Sequence, residues 1–170
     1  MTASKVARLR PGALTGPGLL AVVAGLAAAA ITVVYTVIMA RQRDSGDALG
    51  VSLITATFAS SAVTLIAGAR ARQSKARVAL LTWGATVALF WTLLLNTLTP
   101  LWLPVAILGW IAAVRAARSF SREVGSRDGW VVLGGTWVVC VAVLAAAVFG
   151  SIASDRSPSG GSGEGIAAPR

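Results

Sequence analysis

Five long blocks of apolar residues constrain the fold of this chain more strongly than any other feature of its sequence. They cover residues 17–40, 49–69, 78–98, 101–117 and 130–153. A transmembrane helix needs about 20 mostly apolar residues to cross a hydrocarbon core of about 30 Å. Only 12% of the residues are charged, about half the share in a typical soluble domain. The blocks therefore predict an all-α fold, an integral membrane bundle of five transmembrane helices.

The first apolar block follows a basic N-terminal segment, residues 1–16, which contains Lys5, Arg8 and Arg10. A basic start before an apolar block is also typical of a secretory signal peptide. The apolar region of a signal peptide, however, is about 7–15 residues long, whereas residues 17–40 would form a helix of about 36 Å. We therefore expect this block to be a retained membrane span.

The fourth block is the shortest, about 26 Å as a helix, and the distribution of charge indicates that it also crosses. With five crossings and a cytoplasmic N-terminus, the cytoplasmic segments hold eleven basic and two acidic residues, and the outer segments hold four of each. Cytoplasmic loops of membrane proteins carry an excess of Lys and Arg. The sequence thus predicts a cytoplasmic N-terminus and an outer C-terminus. The eleven basic residues are Lys5, Arg8, Arg10, Arg70, Arg72, Lys75, Arg77, Arg115, Arg118, Arg122 and Arg127.

The composition of the chain indicates its setting. All the basic residues except Lys5 and Lys75 are arginine, and with abundant Ala, Val and Gly this is typical of a GC-rich bacterial gene. We therefore predict a bacterial cell (plasma) membrane. Residues 154–170 are rich in Gly, Ser and Pro, and we expect them to be a disordered tail.

Small residues follow one face of most blocks when the blocks are drawn as helices. Small residues let transmembrane helices approach closely, so we expect these faces to pack inward and the bulky faces to contact lipid. The expected inward residues of the second block are Gly50, Thr57, Ser60, Ser61, Thr64 and Gly68, opposite Val51, Ile54, Phe58 and Leu65. Those of the fifth are Gly135, Ala142, Ala146 and Ala153, opposite Trp130, Trp137, Leu144 and Val148. Trp102 and Trp130 are expected to anchor the two membrane surfaces.

The spans lack the residues that membrane catalysis and ion coupling need. The chain has no histidine, and the only charged residue inside a block is Arg115. Proton-coupled carriers usually need an ionisable residue in the membrane, and intramembrane proteases need a His-Glu-x-x-His helix, a base beside a nucleophile, or paired carboxylates. We therefore predict no catalytic residue, no metal site and no cofactor. Cys140 is the only cysteine, which excludes an intrachain disulfide, and the basic residues flank apolar blocks, so nucleic acid is not an expected partner.

Two sets of residues are candidates for function. Hydroxyls at Thr57, Ser60, Ser61 and Thr64 form a stripe on the second span, for which three interpretations stay open: helix packing, a polar path for a solute, or a docking face for another protein or a second copy. The basic loop after this span contains Arg70, Arg72, Lys75 and Arg77. These charges determine topology, and they can also attract anionic lipid head groups, by about 1 kcal/mol per residue.

The absence of chemistry favours a non-enzymatic membrane protein. Our leading hypothesis is an accessory, scaffold or regulatory subunit that acts through helix–helix contacts with another membrane protein or as a homo-oligomer. The alternative is a small permease or channel subunit that uses the Ser/Thr stripe of the second span. An enzyme acting on lipid is a third and weaker hypothesis, because its catalytic groups would have to come from short loops.

Overall fold

The computed structural model describes residues 17–41, 48–94, 99–124 and 127–155, and these residues form five α-helices. Each helix is long and apolar enough to cross a membrane, which confirms the predicted all-α class and the number of helices of spanning length. The N-terminal segment 1–16 and residues 156–170 of the predicted tail lie outside the described residues. The helices are α1 Pro17–Arg41, α2 Ala48–Arg70, α3 Ser74–Leu93, α4 Thr99–Val124 and α5 Asp128–Asp155.

The fourth helix is much longer than the predicted block 101–117. It has 26 residues, which corresponds to about 39 Å. Its C-terminal part remains amphipathic beyond the apolar block, because Phe120 is buried whereas Arg118 and Arg122 are exposed. The predicted block is short because it ends before the charged residue Arg118. The helix continues beyond this residue to Val124.

Helices α1 to α4 form the centre of the molecule. Successive helices pack against each other, and α1 also packs against α4, so that these four helices enclose one shared hydrophobic core. The fifth helix packs on the outside of this group, against α3 and α4. Only 11% of its most apolar segment is buried, compared with 50% for α3.

Large side chains of α2 fit against glycines of the neighbouring helices. An ideal Cβ on Gly84 of α3 would lie 2.7 Å from Leu65 Cγ, and one on Gly25 of α1 would lie 2.6 Å from Ile66 Cγ1. Gly109 of α4 also faces Leu65. These glycines provide space in which side chains of α2 pack. The reverse arrangement occurs at Gly68 of α2, which faces Leu81 of α3, so small and large residues lie opposite each other on both sides of the interface.

This arrangement contradicts the predicted orientation of α2 in part. Ser61 and Gly68 are buried, as predicted. Phe58 and Leu65 were expected to face lipid, but their exposed fractions are 1% and 0%. Glycines of α3 and α4 leave space opposite Leu65, so part of the bulky face of α2 is buried as well.

An aromatic cluster joins all four central helices around Phe58 of α2. The Phe58 ring centroid lies 5.1 Å from that of Tyr35, 4.9 Å from that of Trp91 and 4.7 Å from that of Trp102. Tilted and edge-on contacts of this kind add stabilisation beyond the burial of apolar area. The prediction that Trp102 anchors the membrane surface was wrong, because this side chain is fully buried against Phe58, near the start of α4.

Candidate functional site

The hydroxyl stripe of α2 is bonded mainly within its own helix. Thr57 donates to the Ile54 carbonyl oxygen over 2.8 Å, and Ser60 donates to the Thr57 carbonyl oxygen over 2.8 Å. Thr64 donates to the Ser60 carbonyl oxygen over 2.7 Å. Serine and threonine in helices commonly return their proton to the preceding turn in this way. These three side chains are half-buried and border the packed face of α2.

Ser61 is the member of the stripe that reaches another helix. Its side chain is fully buried, and its hydroxyl donates to the Gly84 carbonyl oxygen of α3 over 2.9 Å. The missing side chain of Gly84 lets the two backbones approach closely enough for this bond, as is common in membrane bundles. The bonding of the stripe is what the helix-packing interpretation requires, and a transport role for it stays a prediction.

The basic loop lies at the end of the bundle where α2 ends and α3 begins. Arg70, Arg72 and Lys75 are exposed. Arg77 is half-buried, and its Nη2 donates to the Ala71 carbonyl oxygen over 2.9 Å. Three side chains of the loop are therefore free to contact an anionic surface, whereas the fourth closes the loop.

A second set of basic residues lies at the same end. The Ser74 hydroxyl at the start of α3 donates to Glu123 Oε2 of α4 over 3.0 Å, which brings the two helix connections together. The last turns of α4 and the connection to α5 add Arg118, Arg122 and Arg127, all exposed. This end of the bundle therefore carries two neighbouring sets of exposed positive charge. The charge distribution in the sequence predicted that both sets lie on one side of the membrane, but it did not predict the contact between Ser74 and Glu123.

The outward surface of α5 carries small residues, contrary to the prediction that they pack inward. Gly135, Ala142 and Ala146 are exposed, and an ideal Cβ on Gly135 would meet no other side chain or helix within 4 Å. Cys140 and Leu144, on the opposite side of α5, are buried against α3, although Leu144 was expected to face lipid. At this position Cys140 and Leu144 form a small apolar cluster with Val87 and Phe90 of α3.

Bulky side chains border the small residues of α5. We call the outward face with its borders the α5 surface: Gly135, Val138, Val139, Ala142, Ala146 and Phe149. Val138, Val139 and Phe149 have exposed fractions of 58%, 56% and 71%. The surface is therefore a shallow groove of small residues between apolar ridges, a shape that suits close contact with another helix. The outward side of α4, by contrast, carries Leu101, Leu103, Ile107 and Ile111.

A cavity of about 280 Å³ separates α5 from α2 and α3, at the end of the bundle opposite the basic loop. Most of its lining is aliphatic or aromatic, and among the described residues the side-chain hydroxyl on its wall is that of Thr57, which was predicted as a member of the stripe. The lining residues are Gly50, Leu53, Ile54, Thr57, Phe90, Trp91, Leu94, Leu144, Ala147 and Val148. Sequence reasoning missed this cavity because it depends on how far α5 lies from α2.

Within the part of the chain that the structure describes, no group of three or more His, Cys, Asp or Glu residues could hold a metal ion. Comparison of the chain with models of protein families, with curated proteins and with solved structures finds no match. The function must therefore be inferred from the described surfaces and contacts.

Proposed function

We propose that this chain is a non-enzymatic, multi-pass protein of a bacterial cell membrane that acts as an accessory, scaffold or regulatory subunit through helix–helix contacts. Its N-terminus lies in the cytoplasm and its C-terminus outside. The five long apolar helices support insertion in a membrane, and the basic residues gathered at one end of the bundle support this orientation. The binding partner is another membrane protein or a second copy of the chain.

The observation that carries the proposal is the α5 surface. Association of helices in lipid depends on close van der Waals packing, since lipid tails are as apolar as the side chains. A groove of small residues such as Gly135 and Ala142 allows a second helix to approach closely, and the flanking valines fill the space beside it. Because α5 already has α3 and α4 on its other side, this surface is available to a partner.

The test is to enlarge a small residue in the groove. Ala142→Leu should prevent close approach, and overpacking of about 1–3 kcal/mol would weaken association by about fivefold to 150-fold. The matched control is Ala27→Leu, at an exposed position of α1. Tagged protein is extracted gently with native lipid, and the co-purifying proteins and untagged copies are quantified by mass spectrometry. Equal recovery of partner or second copy with both variants would overturn the proposal.

A second candidate function is a small permease or channel subunit, and the position of Thr57 on the cavity wall favours it. On this hypothesis, purified protein in liposomes moves a solute, and replacing Thr57, Ser61 and Thr64 with valine abolishes the flux while leaving folding nearly intact. Flux that persisted in the triple variant would make the stripe a packing feature. If the wild-type protein moved no solute, the permease hypothesis would be rejected and the accessory-subunit proposal would be kept.

A further inference from the structure

We propose that the cavity between α2, α3 and α5 binds one acyl chain of a membrane lipid. This inference rests on the membrane setting of the proposed function and does not depend on the α5 surface having a partner. Three properties of the cavity support it: the direction in which it opens, the chemistry of its lining and its size.

The cavity exists because α5 diverges from the bundle along its length. At its start α5 is tightly packed, since a Cβ on Gly129 would collide with the Ala117 carbonyl oxygen and the Ser121 hydroxyl of α4. In its middle, Cys140 is fully buried against α3. Near its end Ala147 and Val148 are exposed while they still line the cavity. The gap is therefore a wedge that widens toward the C-terminal end of α5.

The wedge opens sideways, toward the surroundings of the bundle. Its rim includes Leu53 of α2 and Leu94 of α3, with exposed fractions of 46% and 47%. Phe90 and Trp91 form the inner wall, and Trp91 packs on Phe58 of the aromatic cluster. In a bilayer such an opening faces the lipid tails, so lipid reaches the cavity without entering the core.

The lining selects an apolar occupant. None of the described residues that line it is charged, and the hydroxyl proton of Thr57 is already donated to the Ile54 carbonyl oxygen. A polar solute in this space would lose its hydrogen bonds to water without full replacement, which disfavours its binding. An acyl chain has no such groups to satisfy.

The dimensions of the cavity suit part of one acyl chain. From Gly50 to Thr57 the cavity wall rises about 10 Å along α2, which is about two thirds of one leaflet of a hydrocarbon core of about 30 Å. With a volume of about 280 Å³, the cavity can therefore hold a stretch of one extended chain that runs along the bundle.

The test measures retained lipid by native mass spectrometry. The full chain is reconstituted in vesicles of phosphatidylethanolamine and phosphatidylglycerol and then extracted in mild detergent. We expect wild-type protein to retain about one phospholipid per chain. Ala147→Trp fills the cavity and should lower this occupancy about tenfold, a change of about 1.4 kcal/mol. The control Ala146→Trp, on the α5 surface, should retain the lipid while it lowers association with a partner or second copy.

Further variants keep the proposal falsifiable if Ala147→Trp does not fold. Ile54→Trp fills the same cavity from α2 and should also remove the lipid, whereas Thr57→Val keeps the shape of the wall and should retain it. Wild-type protein without a retained lipid would overturn the proposal, as would equal retention by the two cavity-filling variants or equal loss in Ala146→Trp. Each of these results is independent of the partner measurement, so the two proposals can fail separately.

Discussion

The Ser61 hydroxyl of α2 donates to the Gly84 carbonyl oxygen of α3 over 2.9 Å, and this bond lies where the two backbones have no side chain between them. Gly84 would place a Cβ 3.0 Å from the Ser61 carbonyl oxygen and 2.8 Å from Thr64 Oγ1. The pair thus combines a polar contact with a steric requirement. The two components can be separated by substitution.

Gly84→Ala should destabilise the bundle through the steric component. Its methyl group would lie 2.7 Å from Leu65 Cγ and close to the α2 backbone, so helices α2 and α3 must separate, at a cost of about 1–3 kcal/mol. The measurement is the free energy of unfolding in mixed micelles of mild detergent and dodecyl sulfate. Gly134→Ala is the matched control, because its Cβ meets no other side chain or helix within 4 Å. Equal stability of the two variants would contradict the close packing of Gly84.

Ser61→Ala should have the smaller effect, because it removes the polar component alone. Hydrogen bonds between transmembrane helices contribute about 0.6 kcal/mol on average, and alanine fits the space of serine. The same unfolding titration measures the loss, with Ser60→Ala as control, since Ser60 bonds within α2. A loss for Ser61→Ala as large as that for Gly84→Ala would show that the hydrogen bond, rather than the close approach, holds the helices together.

Phe58→Ala should be among the most damaging single substitutions in the core. It removes the ring that contacts Tyr35, Trp91 and Trp102, and removal of a buried phenylalanine costs about 3–5 kcal/mol. Phe149→Ala, at an exposed position, should change the unfolding free energy by well under about 1 kcal/mol. Near-ultraviolet circular dichroism reports the aromatic cluster directly, and an unchanged signal in Phe58→Ala would contradict its central position.

Neutralising the basic loop should weaken enrichment of anionic lipid. Replacement of Arg70, Arg72 and Lys75 with glutamine removes three exposed charges, each worth about 1 kcal/mol near a negative surface. Lipids that remain with the protein in polymer-bounded native discs are quantified, and the anionic fraction is compared with that of Arg41→Gln, at the opposite end of the bundle. If the anionic fraction were unchanged in the triple variant, these residues would contribute to membrane orientation but not to the binding of anionic lipid.

The proposed orientation predicts the behaviour of reporter fusions. An enzyme that is active only in the cytoplasm should be active when fused after Arg72 and silent when fused after Arg170, because five crossings place these positions on opposite sides. Expression of both fusions is checked by immunoblot. Activity at the C-terminal fusion would mean an even number of crossings and would overturn the charge argument.

The number and class of the helices could be predicted because they depend on local composition. Long apolar runs must form helices in lipid, where every backbone polar group needs an internal partner. The end of α4 could not be predicted from the apolar run, because the run stops at Ala117 whereas the helix continues through the exposed Arg118 and Arg122. Apolar runs thus identify spans, whereas amphipathic extensions such as the one around Phe120 require knowledge of the neighbouring helix.

The inward faces were harder to predict, because they depend on pairs of helices. On α4, the small residues Ala106 and Ala113 are buried. On α2, Leu65 is buried because Gly84 and Gly109 lie opposite it, and the α2 sequence alone does not contain that information. The cavity beside Thr57 has the same origin, since it depends on the divergence of α5. Which of these side chains are buried therefore depends on steric complementarity between helices, rather than on the sequence of one helix alone.

The peripheral packing of α5 also bears on the order in which the molecule is assembled. Chains begin to fold from the N-terminus during synthesis, so α1 to α4 can associate while the last helix is still being made. Their common core includes Phe58 and Trp102 and is largely complete without α5. The last helix can then dock on the surface that α1 to α4 have already formed, and residues on its outward side can change during evolution without disturbing the packing of those four helices.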